Sequence, residues 1–169
     1  DMRRDQFGKT EPSGKPTPPM LLSLDRLQIT DTIALTEMRG RFDLSRGLDG
    51  SFEARVNGGT ALRGQVLPLG GRSAIRLASE DAGGVLRSAS VARQVVGGDL
   101  TLVLVPVGSG GAFDGQLQVG DLRIRDAPAI AALLNAVSVV GLINELNGDG
   151  FYFDAVEAAF RLTPDRLTL

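Results

Sequence analysis

Between Met38 and Asn57, apolar and polar residues take turns with a period of two. Met38, Gly40, Phe42 and Leu44 alternate with Arg39, Arg41 and Asp43; Leu48, Gly50, Phe52, Ala54 and Val56 alternate with Asp49, Ser51, Glu53, Arg55 and Asn57. Only an extended strand puts every second side chain on one side, so this stretch predicts half-buried β-strands with one apolar and one wet face. Val66, Ile75 and Leu77 mark two further strands. Gly58-Gly59 and Gly70-Gly71 can supply the positive φ angles that tight hairpins need. Doubled glycines recur at 83–84, 97–98 and 110–111, so successive pairs lie 12, 13, 14 and 13 residues apart. One strand plus one turn has about that length, which predicts an antiparallel meander. Later strands are expected at Asp99–Val107, where Leu100, Leu102 and Leu104 share a face, and at Phe113–Arg125, which carries Phe113, Leu117 and Val119. Val156, Ala158, Phe160 and Leu162 alternate again, and Thr163-Pro164-Asp165 turns into a last short strand.

Two segments interrupt this pattern. Ser79 through Val91 reads as a short helix, with Ser79 as its cap and Glu80 and Asp81 in the first turn, where the helix dipole favours carboxylates. Gly83 and Gly84 weaken that helix by roughly 1 kcal/mol each. The second segment is APAIAALLNAVSVVGLINELN, residues 127–147, with Asp126 placed to cap it. Ala127 through Ile143 is 17 residues without a charge, at the short limit for a membrane span. Asn135, Ser138 and Gly141 interrupt it, and no Lys or Arg flanks its C-terminal end. On a straight helix Ile130, Leu134, Val137 and Gly141 would share one face, and Val139, Leu142, Ile143 and Leu146 the opposite one. A break near Ser138 would give two short amphipathic helices that cover the end of a sheet or touch a lipid surface. The expected fold is therefore mainly β with a few short helices: an antiparallel meander forming a twisted β-groove, with an apolar helical segment near 127–147.

Composition decides what chemistry is open to such a fold. The 169 residues contain no Cys, His or Trp, so the usual ligands of zinc, copper, haem and iron–sulfur centres are missing, as are thiol and histidine catalysis. A hydrophobic share of 43%, a charged share of 22% and a formal net charge of −2 are ordinary for a globular domain and give no footprint for nucleic acid. Gly108 to Gln116 superficially resembles a phosphate loop, but Gln116 stands where the lysine is required and no helix is expected after it. It reads as a hairpin turn. No Gly-x-Ser-x-Gly elbow occurs. Glu80, Asp81, Asp121, Asp126, Asp149 and Asp154 each have an easy role as a cap, turn or solvated edge residue, and Asn147, Asp149 and Asp154 lack the regular oxygen spacing of a calcium loop. No enzyme, metal or cofactor is expected.

Residues 8–19, rich in Gly, Pro, Ser and Thr and holding both lysines, read as a linker or strand-edge excursion. Residues 1–19 are thus set apart from one domain at 20–169. The opening Asp1-Met2-Arg3-Arg4 and the strand-like Arg166–Leu169 at the other end suggest a segment of a larger protein.

Asp81-Ala-Gly-Gly-Val-Leu-Arg87, Val96-Gly-Gly-Asp-Leu100, Gly115-Gln-Leu-Gln-Val119, Arg125-Asp-Ala-Pro128, Leu133-Leu134, Ser138-Val-Val-Gly-Leu142 and Gly148-Asp-Gly-Phe-Tyr-Phe153 follow one another in this order. The pattern resembles the C-terminal region of AsmA-like proteins, the bacterial envelope family with TamB and YhdP relatives, over about residues 20–169. The resemblance implies a periplasmic location, in a protein anchored to the inner membrane by a helix outside this chain. It also implies a long β-groove with an apolar interior that moves phospholipid between the inner and outer membranes. Leu102, Leu104, Phe113, Leu117 and Val119 are the candidate lining residues. Ile130, Leu134, Val137, Leu142, Ile143 and Leu146 are candidates for a helical cover or membrane contact. Expected partners are phospholipid acyl chains, the membranes themselves and other envelope proteins. The alternative is an outer-membrane assembly or protein-interaction module without lipid cargo, in which exposed sheet edges pair with client strands.

Overall fold

The computed structural model describes residues 18–125, 138–139, 143–146, 150–163 and 167–168. Among these the elements run β1 (Met20–Gln28), β2 (Ala34–Asp43), β3 (Asp49–Val56), β4 (Ala61–Leu69), β5 (Arg72–Ser79), α1 (Ala82–Ser88), β6 (Val95–Val96), β7 (Asp99–Val107), β8 (Ala112–Ile124), β9 (Ser138–Val139), β10 (Ile143–Leu146), β11 (Gly150–Leu162) and β12 (Leu167–Thr168). The strands form one antiparallel sheet in the order β1-β2-β3-β4-β5-β7-β8-β11-β10. The two ends of that path do not pair, so the sheet is open and, like all such sheets, twisted. β9 and β12 pair with β11, and β6 pairs with β8.

The period-two pattern sets the register. One row of facing residues crosses the sheet as Leu22, Gly40, Phe52, Gly64, Leu77, Leu102, Leu117 and Ala158. The next runs Met20, Phe42, Gly50, Val66, Ile75, Leu104, Gly115 and Phe160. Every member of these rows is apolar or glycine, so the meander owns one continuous apolar face. Glycine alternates with phenylalanine for a steric reason. A Cβ on Gly64 would fall within the Phe52 ring, and one on Gly115 within the Phe160 ring. Each ring lies flat on the bare backbone of its cross-strand partner.

Side-chain alternation resets in two places. In β2, Glu37 takes a positive φ of 51° and the register slips between Thr36 and Arg39. This bulge keeps Leu35 and Met38 on the same face, both buried. In β8, Asp121 has φ of 50°, and Gly97 and Gly98, opposite it between β6 and β7, have φ of 70° and 81°. Past this line Leu122 and Ile124 turn inward beside Val119, and on β11 Phe153 joins Val156. The sheet therefore folds over α1.

α1 is shorter than expected and starts later. Its cap is Asp81, whose Oδ1 accepts from the Gly84 N–H at 2.7 Å, not Ser79. Ser79 ends β5 instead: its hydroxyl donates to the Ala61 carbonyl at 2.9 Å and is thereby committed to the sheet. Gly83 and Gly84 are required here, because a Cβ on Gly83 would meet the backbone of Val95 and Val96 at 2.8 Å. Asn57, with φ of 49°, ties the helix to the sheet. Its Oδ1 accepts from the Ala34 N–H at 2.8 Å, and its Nδ2 donates to the carbonyls of Thr32 and Ser88 at 2.9 and 2.8 Å.

The helical segment expected near 127–147 is corrected where the structure describes it. Ser138–Val139 and Ile143–Leu146 are strands paired with β11. A largely apolar run reads equally as a buried helix or a buried strand, and the free side of β11 decides the matter by offering backbone partners. The rest of 127–147 lies outside the described residues, as do residues 1–17.

Candidate functional site

Apolar packing divides the inner face into three zones. On β2, β3 and β4, Leu35, Met38, Phe42, Phe52, Ala54, Val56, Leu62 and Val66 form one buried cluster. Phe42 and Phe52 stack within it, centroids 6.5 Å apart. Under α1, Ala82, Val95, Leu100, Val119, Leu122, Ile124, Phe153 and Val156 form a second. Val85 of the helix packs against both. Between them and the far hairpin ends lies the third zone: Ile75, Leu104, Phe113, Phe160 and Leu162 share the inner face, are half-buried, and belong to neither cluster. Leu77, Leu102 and Leu117 border it, half-buried and packed against one cluster or the other.

The structure thus brings most of the expected lining residues together. Leu104 and Phe113 sit in the open strip. Leu102 and Leu117 face each other across β7 and β8 at its border. Val119 stands apart, 2% exposed inside the cluster under α1. Of the residues expected to form a helical cover, Ile130, Leu134, Val137 and Leu142 lie outside the described residues. Ile143 and Leu146 belong to β10, opposite Phe153 and Gly150. Ile75, Leu77 and Phe160 were placed on strands by their alternation in the sequence but were not named as lining residues, although the same alternation was the signal that could have found them.

Polar groups frame the strip, and one of them, Arg72, reaches over its Phe113 end. Arg72 holds the β7–β8 turn, its guanidinium donating to the carbonyls of Val107 at 3.1 Å and of Gly108, and it lies 5.8 Å from the centre of the Phe113 ring. On the opposite face Asp114 and Arg161 pair at 2.7 and 3.0 Å. The Arg161 hydrogen bond holds the Asp114 carboxyl below the usual carboxylate range. The Tyr152 hydroxyl donates to Asp121, which pushes the phenol above its ordinary value. That outer face also carries a cleft of about 690 Å³ whose walls include Arg39, Arg41, Arg63, Arg76 and Glu53.

The acidic residues have structural employment: Asp81 caps α1, Glu80 pairs with Arg63 at 2.6 Å, and Asp121 accepts from Tyr152. Among the described residues no three His, Cys, Asp or Glu side chains gather as metal ligands, and no helix is long and apolar enough to cross a membrane. No family model matches the chain, and neither the curated proteins nor the solved structures contain a significant match.

Proposed function

We propose that this chain is a non-enzymatic segment of an AsmA-like envelope protein, and that its apolar sheet face carries phospholipid acyl chains between the inner and outer membranes. The observation that carries the reading is the open strip. Ile75, Leu104, Phe113, Phe160 and Leu162 lie side by side on four strands, half-buried, with no described element covering them. An acyl chain gains about 0.8 kcal/mol per CH₂ on leaving water for an apolar surface. Apart from Arg72, whose guanidinium lies over the Phe113 ring at one end and is held by turn carbonyls, the strip supplies that surface without a charged side chain. The groove axis runs across the strands, where each added strand extends the apolar rows by about 4.8 Å.

Mass spectrometry of lipid extracted from the chain, purified without detergent from bacterial cells, tests this. Leu104→Asp is the cleanest variant, because Leu104 is in neither cluster. Phospholipid on the wild type and none on a Leu104→Asp variant with unchanged circular dichroism is the expected result. An equal amount on both would refute the strip as the lipid site.

A second reading has its own observation. Among the described residues β1 pairs only with β2, which leaves one side of a nine-residue strand open. Such an edge can accept a client strand. Protection of the β1 amides from hydrogen exchange by an added envelope protein, with no lipid recovered, would favour it.

A further inference from the structure

The row Met20-Phe42-Gly50-Val66-Ile75 divides the sheet along its strands, and the hairpin ends on one side of it collect exposed apolar residues. Leu44 and Leu48 flank the β2–β3 turn at 54% and 37% exposure, and Leu67 and Leu69 end β4 at 50% and 48%. Met20 and Val105 add to the same end. The β2–β3 turn also leans on the end of β4, since a Cβ on Gly47 would sit 3.0 Å from the Pro68 Cβ. The β2–β3 turn and the end of β4 are thus in contact.

Charge is layered behind this surface. Arg41 and Arg76 occupy one cross-strand row with Ser51 and Gln65. Leu67 and Leu69 continue the same side of β4 from Gln65, about 7 and 13 Å nearer the tips at the usual strand rise. Arg46 lies in the β2–β3 turn itself, not behind it, and its charge acts on the Asp43 carboxylate. Neither Arg41 nor Arg76 has a hydrogen bond or ion pair among the described residues, whereas Arg72 is held by turn carbonyls and Arg161 by Asp114. Asp43 and Asp49 are the carboxylates nearby, and Asp43 is already occupied by the Ser45 N–H at 2.7 Å.

We propose that the β2–β3 and β4–β5 hairpin tips dock on the surface of a phospholipid bilayer, with the leucines in the acyl boundary and Arg41 and Arg76 at the headgroup phosphates. Segments that lie on membranes bury their apolar face about 5–10 Å below the headgroups. The spacing from leucine to arginine along β4 and its neighbours spans that depth. Uncommitted guanidinium groups match phosphate in charge and in donor geometry. This surface is separate from the open strip, and docking does not require that the strip hold lipid.

The test is flotation of the full chain with vesicles of phosphatidylcholine containing one quarter phosphatidylglycerol. The wild type should float with these vesicles, and the double variant Leu67→Asp/Leu69→Asp should bind at least tenfold more weakly. Arg41→Gln/Arg76→Gln should weaken binding several-fold and flatten its salt dependence. Val91→Asp, which changes an exposed apolar residue at the opposite end, should bind like the wild type. Absence of wild-type binding, full binding by both tip variants, or equal loss in Val91→Asp would overturn the proposal. So would a concentration-dependent dimer, formed without vesicles and abolished by the leucine variants, since it would assign the tips to a second copy. Lipid extraction reads the strip and flotation reads the tips, so either proposal can fail alone.

Discussion

A methyl group added to Gly64 would collide with the Phe52 ring, so the smallest possible substitution acts on one of the largest buried side chains. Gly64→Ala should destabilise the fold by about 1–3 kcal/mol, the usual cost of forcing extra volume into a packed site. Removing the ring itself, as Phe52→Ala, should cost about 3–5 kcal/mol. Urea unfolding of the two variants checks both values. Asp81→Ala removes the α1 cap and should cost about 1 kcal/mol in the same assay. Asp114 gives a residue-level test in pH. Its folded-state pKa is depressed by Arg161, so the pair stabilises above the unfolded carboxylate value, and that contribution is lost as pH falls through the folded one. Carboxyl NMR titration should find Asp114 below the ordinary aspartate range in the wild type and close to it in Arg161→Gln.

At the scale of elements, what could be read beforehand was what repeats every two residues. β3 alternates through Gly50, Phe52, Ala54 and Val56, and β7 and β8 fall within one residue of their expected limits. The turns were legible in the same way, although at the β3–β4 hairpin the positive φ angles fall on Asn57 and Gly58, one residue earlier than the Gly58-Gly59 pair suggested. The sites where alternation resets were not legible. Glu37 carries no mark of a positive φ and Asp121 only the mild tolerance that aspartate has for it, so neither position stands out in the sequence. α1 was displaced because Ser79 has two possible uses, and the sheet takes it. The strands of 138–146 were hidden because the polar residues there, Ser138, Asn144 and Glu145, do not fall at a spacing of two. Pairing length predicts how these elements open. β8 and β11 share eleven register pairs, so their mutual amides should exchange most slowly with deuterium, and the outward amides of β1 fastest.

At the scale of the whole molecule, among the described residues a single helix covers part of one face of a large open sheet, and two buried clusters leave a strip between them and the hairpin ends unclaimed. The strip's strands belong to the same sheet as both clusters, so a ligand lying on it binds the folded chain and has no equivalent surface on the unfolded one. Apparent stability then becomes a property of the solution as well as of the chain. A ligand present at a hundred times its dissociation constant would add about 2.7 kcal/mol to the unfolding free energy. Melting temperature should therefore rise with added short-chain phospholipid and fall after delipidation, and Leu104→Asp should abolish the difference. On the proposed lipid reading, a preparation stripped with organic solvent would look like a poorly folded protein, because Ile75, Leu104 and Phe160 would then face water.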